Sequence, residues 1–403
     1  MATGVIGAVE GENPTAKPIQ NPGAGAATNK GEVFTSFDVN AFEVPSGRDE
    51  EWRFTPLRRL RGLHDGSAVR DGRATIEVRP VDGVRVETVE RGDARLGVAG
   101  VPADRVAAQA YSGFEQATIV SVGAETEVAE PVVVSVTGPG EGRTAYGHLQ
   151  IRLANFAVAT VVIDQHGSGT YAENVEFVVG DSAKLTVVAV QDWADDAVNA
   201  TAHHAKLGRD ATLRHIAVTL GGELVRMTAT VRYDGPGGDA ELLGLYFADA
   251  GQHFEQRLLV DHAVPNCKSR VLYKGALQGD PHSPKGDART VWVGDVLIRA
   301  AAEGTDTYEA NRNLVLTDGA RADSVPNLEI ETGEIAGAGH ASATGRFDDE
   351  QLFYLRARGI PEDAARRLVV RGFFQEILQK IAVPEIRERL EAAIEAELAA
   401  IGV

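Results

Sequence analysis

The side chains able to do metal chemistry are few: ten histidines and one cysteine, Cys267, in 403 residues. A single thiol forbids an internal disulfide and any site needing two thiolates from the same chain. Most of the histidines lack a second ligand at helical or turn spacing and read as structural. His203 and His204 are adjacent, so on a strand they point to opposite faces and cannot chelate one ion together. His262 stands five residues before Cys267 in DHAVPNC, a spacing no local zinc motif uses, and this pair also reads as structural. His340 is the exception. In GAGHASATG, residues 337–345, small neighbours leave its ring unshielded. Two roles are open to it: a ligand completed by another chain, or a turn histidine bonded to a backbone carbonyl.

Other catalytic machinery is missing from the sequence. The dipeptide Gly-Lys never occurs, so there is no GxxxxGK[ST] phosphate loop, and the chain is expected to bind no nucleotide by itself. HExxH and GxSxG are absent as well. Lys and Arg number 40 against 58 for Asp and Glu, a net charge of −18, which repels phosphate backbones and anionic lipid. Neither nucleic acid nor a membrane is an expected partner. No apolar run approaches the roughly 20 residues that span a bilayer, and no signal pattern opens the chain. A cytoplasmic protein is the expectation.

The elements that position these residues follow from periodicity. Residues 1–34 lack apolar periodicity and read as a disordered tail. A mixed N-terminal region, 35–116, is expected to hold a short helical segment around Trp52 to Leu63 and strands at 74–78 and 83–88. From 117 to 345 short valine-rich runs succeed one another, and a turn motif recurs as GDSAKL, GRDATL, GGDAEL and NCKSRV, ending at Leu185, Leu213, Leu242 and Val271 at intervals of 28, 29 and 29 residues. That near-constant period predicts a mainly β fold, a stacked β-solenoid.

Residues 346–403 form a helical domain. Asp348 caps a first helix with Gln351 reaching back and Leu352, Phe353 and Leu355 expected to be buried, Gly359 stops it, and Pro361 opens a second helix that Pro384 breaks. Ala365, Val369, Phe373, Ile377 and Ile381 give that second helix an apolar stripe that needs a partner surface.

WRFTPL, NCKSRVLYKG and VPNLEIETGEIAGAGHASATGRFDDEQLFYLRARGI, with the two helices that follow, resemble the SufB/SufD family of SUF-system iron–sulfur cluster assembly subunits, on its SufD side. The likeness runs from Phe37 to Leu398, and DDEQLFYLRARGI is specific to the family. It implies a right-handed parallel β-helix flanked by N- and C-terminal α-helical regions. It also implies a non-catalytic scaffold that pairs with a SufB-like subunit through the β-helix and with a SufC-like ATPase that supplies the nucleotide chemistry. Where SufB carries a cluster-building cysteine this chain has Asn311; where SufB reads EHEA it has Gly339, His340, Ala341 and Ser342; where some SufD chains have a further cysteine it has Ala338. The resemblance therefore puts this subunit's share of a transient cluster on His340, with other ligands across the interface. Histidine can replace cysteine at iron, as Rieske centres show. Leu355, Arg358, Gly359, Leu368, Phe373 and Phe374, around the helix break, are expected to dock the ATPase. Two alternatives are a β-helix enzyme acting on polysaccharide and a purely structural dimerisation subunit.

Overall fold

The computed structural model describes residues 29–346 and 349–400. Among them eighteen strands alternate between two nine-stranded sheets. The first sheet runs β1 (Thr75–Val78), β4 (Val132–Thr137), β6 (Val158–Gly167), β8 (Lys184–Trp193), β10 (Thr212–Thr219), β12 (Asp239–Ala248), β14 (Lys268–Leu277), β16 (Asp306–Val315), β18 (Gly337–Arg346). The second runs β2 (Val84–Glu90), β3 (Gln116–Val122), β5 (Thr144–Leu153), β7 (Thr170–Val179), β9 (Val198–Leu207), β11 (Leu224–Tyr233), β13 (His253–His262), β15 (Ala288–Ile298), β17 (Ala320–Ile330). From β3 and β4 onward every pairing is parallel, while β1 and β2 close the N-terminal end antiparallel. The expected parallel β-solenoid is present, with helices toward both ends.

Each strand points alternate side chains inward, where Val161, Val187, Leu213, Leu242, Val271 and their counterparts on the second sheet form one continuous core. The period is less regular than the sequence suggests. Leu185 faces Leu213 and Leu213 faces Ala240, not Leu242, which lies opposite His215. A slip of two residues keeps the same face inward, so the motif survives it. Between β14 and β16 the interval widens, with Lys268 facing Asp306.

Both outer faces are covered. Over the second sheet lies the N-terminal region with helix α1 (Arg105–Gly113), whose N-cap Asp104 accepts the Ala107 N–H at 2.8 Å. The helix expected around Trp52 to Leu63 is instead a run of turns with one 3-10 turn, Leu57–Leu60, because Arg61 and Gly62 take left-handed backbone angles, φ 51° and 88°. Over the first sheet lie α3 (Glu362–Leu378) and α4 (Pro384–Ala400), with α2 (Asp349–Ala357) packed on α3. Pro384 opens α4; α3 has already ended at Leu378.

The apolar stripe of α3 needs no second molecule. Val370, Phe374, Ile377 and Ile381 are buried with Val188, Ile216, Leu243 and Phe247 of the first sheet, and Ile386, Leu390, Ile394 and Leu398 of α4 join them. The Asp348 cap and the Gln351 side chain lie outside the described residues, as do residues 1–28 of the stretch read as a tail. The rest of that stretch is tied down. Asn29 donates to Glu331 at 2.7 Å, the Lys30 N–H donates to Glu329 at 2.9 Å, and the Lys30 ammonium pairs with Glu50 at 3.0 Å.

Candidate functional site

The two sheets end differently. At each end a strand pairs on one side only, but β1 and β2 do so antiparallel, whereas β17 and β18 continue the parallel stack to its last rung. Their side chains are mostly exposed or half-buried. GAGHASATG is part of β18 and not a turn, because residue alternation beside β16 continues through it: Ala338 faces Thr307, His340 faces Glu309 and Ser342 faces Asn311.

His340 therefore sits on the face that continues the solenoid interior, at its open end. Its side chain keeps 44% exposure, whereas Glu309 is 1% exposed, with Nδ1 and Oε1 3.8 Å apart. Burial, with the like charge of Asp295 nearby, pushes the Glu309 carboxyl up to about 8. Asn311 is fully employed in structure: its amide donates to the Tyr246 hydroxyl at 2.9 Å and to the Tyr273 carbonyl at 3.2 Å. Asn313 extends the network to Ser324 of β17 and Thr344 of β18 at 3.0 and 3.3 Å. This end of the interior is polar, cross-braced and open.

The buried histidines, His148, His203, His204, His215, His253 and His262, behave as structural groups. His203 and His204 do point to opposite faces: His203 meets His215 inside the solenoid at 2.9 Å, and His204 lies outside against Gly100. His262 stacks on Tyr233 and shares a hydrogen bond with Ser269 at 2.9 Å. Cys267 is buried with its sulfur against the Pro265 carbonyl at 3.6 Å, and burial pushes its thiol up, so it is a poor nucleophile. Among the described residues no group of three or more His, Cys, Asp or Glu could hold a metal ion; His340 and Glu309 make two.

The expected docking residues separate. Phe374 is fully buried, 6.5 Å from the ring of Phe247, and is unavailable to a partner. Phe373 is half-buried beside Lys274, whose ammonium donates to the Phe373 carbonyl at 2.9 Å. Leu355 is half-buried, while Arg358, Gly359 and Leu368 are exposed. With them stand Phe353 and Tyr354 of α2, 73% and 56% exposed; of the three residues expected to be buried in this helix only Leu352 is fully so.

Residues 136–373 match the family model "SUF system FeS cluster assembly, SufBD core domain". An iron–sulfur cluster assembly SufBD family protein of Mycobacterium bovis is 73% identical over 374 residues, 93% of this chain and 94% of the relative. The chain belongs to the SufBD family. A Mycobacterium leprae member is 70% identical over 372 residues, 92% of this chain and 95% of its own. Mycobacterium bovis also has a second SufBD family protein, 27% identical over 207 residues, 51% of this chain and 24% of that protein. SufBD membership gives the chain a role in iron–sulfur cluster assembly in place of polysaccharide chemistry. None of the described helices is long and apolar enough to cross a membrane.

Proposed function

We propose that this chain is the SufD-type, non-catalytic subunit of a cytoplasmic SUF assembly complex, pairing through the open end of its solenoid with a SufB-type subunit and presenting His340 to a cluster formed between them. The observation that carries this reading is the position of His340: inward-facing, partly exposed, and on the last strand of an uncapped stack. Free strand edges are ready templates for pairing with another chain. One imidazole and no accessible thiol cannot hold a conventional four-cysteine cluster, so the remaining ligands come from the partner. That Mycobacterium bovis has two SufBD family proteins supports a heteromeric pair.

The ATPase docks on α2 and the start of α3, where Phe353, Tyr354, Leu368 and Arg358 are exposed around the Gly359 break. Exposed aromatic and aliphatic side chains clustered with an arginine are the composition of interface anchors. Nucleotide hydrolysis belongs to that partner.

Expressing His340→Ala as the chromosomal copy tests the reading. The complex should form at normal abundance while client iron–sulfur enzymes lose activity. Normal client maturation with the complex intact leaves His340 a structural residue and overturns the proposal.

A further inference from the structure

We propose that Glu309 and His340 together form a two-ligand half-site for ferrous iron at the open end of the solenoid. The inference deepens the reading of His340 above and rests on it. Strand register places the two residues directly opposite each other on β16 and β18, with Nδ1 and Oε1 3.8 Å apart. That gap is too long for a hydrogen bond. Two donors holding one divalent ion at about 2.0–2.2 Å each stand roughly 3–3.5 Å from one another, so a shift of a few tenths of an ångström closes them on an ion.

The carboxylate lacks the counter-charge that burial demands. The Asn327 backbone N–H bonds to the Glu309 carboxyl, yet Oε1 has no hydrogen-bond partner although the side chain is 1% exposed, and the charged group acting on it most strongly, Asp295, is of the same sign. A buried carboxylate with no fixed cation beside it is costly unless a cation or a proton meets it. The fold nevertheless makes room for this one. Gly294 of β15 lies against it, and a Cβ there would come within 2.5 Å of Glu309 Oε2.

One side of the pair is closed and the other open. Glu309 is walled in by Gly294 and Trp292, whereas His340 is 44% exposed, leaving its outer side for water, sulfide or a partner's ligands. A carboxylate oxygen with an imidazole nitrogen suits Fe(II), Mn(II) or Zn(II) rather than thiophilic Cu(I). The half-site would hold incoming iron beside the place where the cluster grows.

The test is anaerobic titration of the purified full chain with Co(II), a spectroscopic stand-in for Fe(II). The wild type should bind one equivalent, and Glu309→Gln, which keeps the shape, should weaken binding at least about tenfold, since even second-shell losses cost that much. His340→Ala should do the same, with melting curves unchanged in both. In the unaltered chain, Co(II) should shift the His340 imidazole proton resonance, assigned by its loss in His340→Ala, which gives a readout independent of how Glu309→Gln folds. Absence of a site in the wild type, or Co(II) affinity indifferent to Glu309→Gln, overturns the half-site. The latter result together with client maturation that still depends on His340 would leave the assembly role standing. Glu309-dependent Co(II) binding with normal client maturation in His340→Ala would establish the half-site and refute the assembly role.

Discussion

Glu176 lies 2.7 Å from Nε2 of His148 on the outer face of the second sheet, and its two oxygens also accept the N–H groups of Gly97 and Ala99 at 2.7 and 2.9 Å. One buried carboxylate thus fastens the N-terminal cover to two rungs of the solenoid. Glu176→Ala strands His148 and two amides, and should cost about 3–5 kcal/mol by urea unfolding, the usual loss when one member of a buried pair is removed. A loss below about 1 kcal/mol would show that the cover is held elsewhere.

The buried titratable groups should respond to acid in two stages. Burial pushes His204, His215 and His262 down to about 4. Between the ordinary imidazole value near 6.5 and that level, the unfolded chain takes up protons the native histidines refuse, so these groups lose stability as pH falls, against the opposite contribution of Glu309 and Glu397, which burial raises to about 8. Each group contributes at most about 1.4 kcal/mol per pH unit in that window. Burial would raise Glu176 and Glu255, but His148 beside the first, and His253, Arg226 and Arg257 around the second, hold them low, Glu255 at about 2. Their stabilisation is complete above the usual carboxyl range and disappears as pH drops through their native values. His262→Gln should lose less stability than the wild type between about pH 7 and pH 5 in urea unfolding, and an identical pH dependence in the two would contradict the histidine stage.

The C-terminal helices should divide sharply between fold and docking. Phe374→Ala removes a fully buried ring and should cost about 3–5 kcal/mol. Phe353→Asp and Leu368→Asp, on exposed positions, should leave the melting temperature nearly unchanged and weaken capture of the SufC-type ATPase at least about tenfold, as expected for anchor residues. Full ATPase binding by the double variant would move the docking surface elsewhere.

Much of this fold was legible in the sequence because inward positions repeat Val, Leu and Ala with period two inside a longer turn period. The strands nevertheless run several residues beyond the apolar runs that announce them. β5 begins at Thr144 and β7 at Thr170, not at Leu149 and Val175, since His148, Glu173 and Asn174 are polar yet buried. Their partners lie on other strands or on α1: Gln165 and Thr201 bond to Glu173, and Asn174 donates to the Ala107 carbonyl at 2.9 Å. No local pattern encodes such pairs. Glu309 was overlooked for the same reason, although its alternation with Thr307 and Asn311 marks it as inward-facing. Phe374 was misassigned because an amphipathic stripe looks the same whether it meets another molecule or its own sheet.

The N-terminus gives a simple deletion test. Removing residues 1–28, which lack apolar periodicity, should leave the melting temperature unchanged, whereas removal through Phe34 takes away the Lys30 contacts to Glu50 and Glu329 and should cost about 1–2 kcal/mol. Equal melting temperatures for the two truncations would show that the strap contributes nothing.

The central claim is that His340 ligates a cluster shared with a second SufBD subunit. Its most direct test is pulsed electron paramagnetic resonance on the reduced, cluster-loaded complex, with nitrogen-15 histidine introduced into this chain alone. The account predicts a hyperfine coupling from one histidine nitrogen that disappears in His340→Ala. A loaded wild-type complex without such coupling, or one whose coupling persists in His340→Ala, would contradict it.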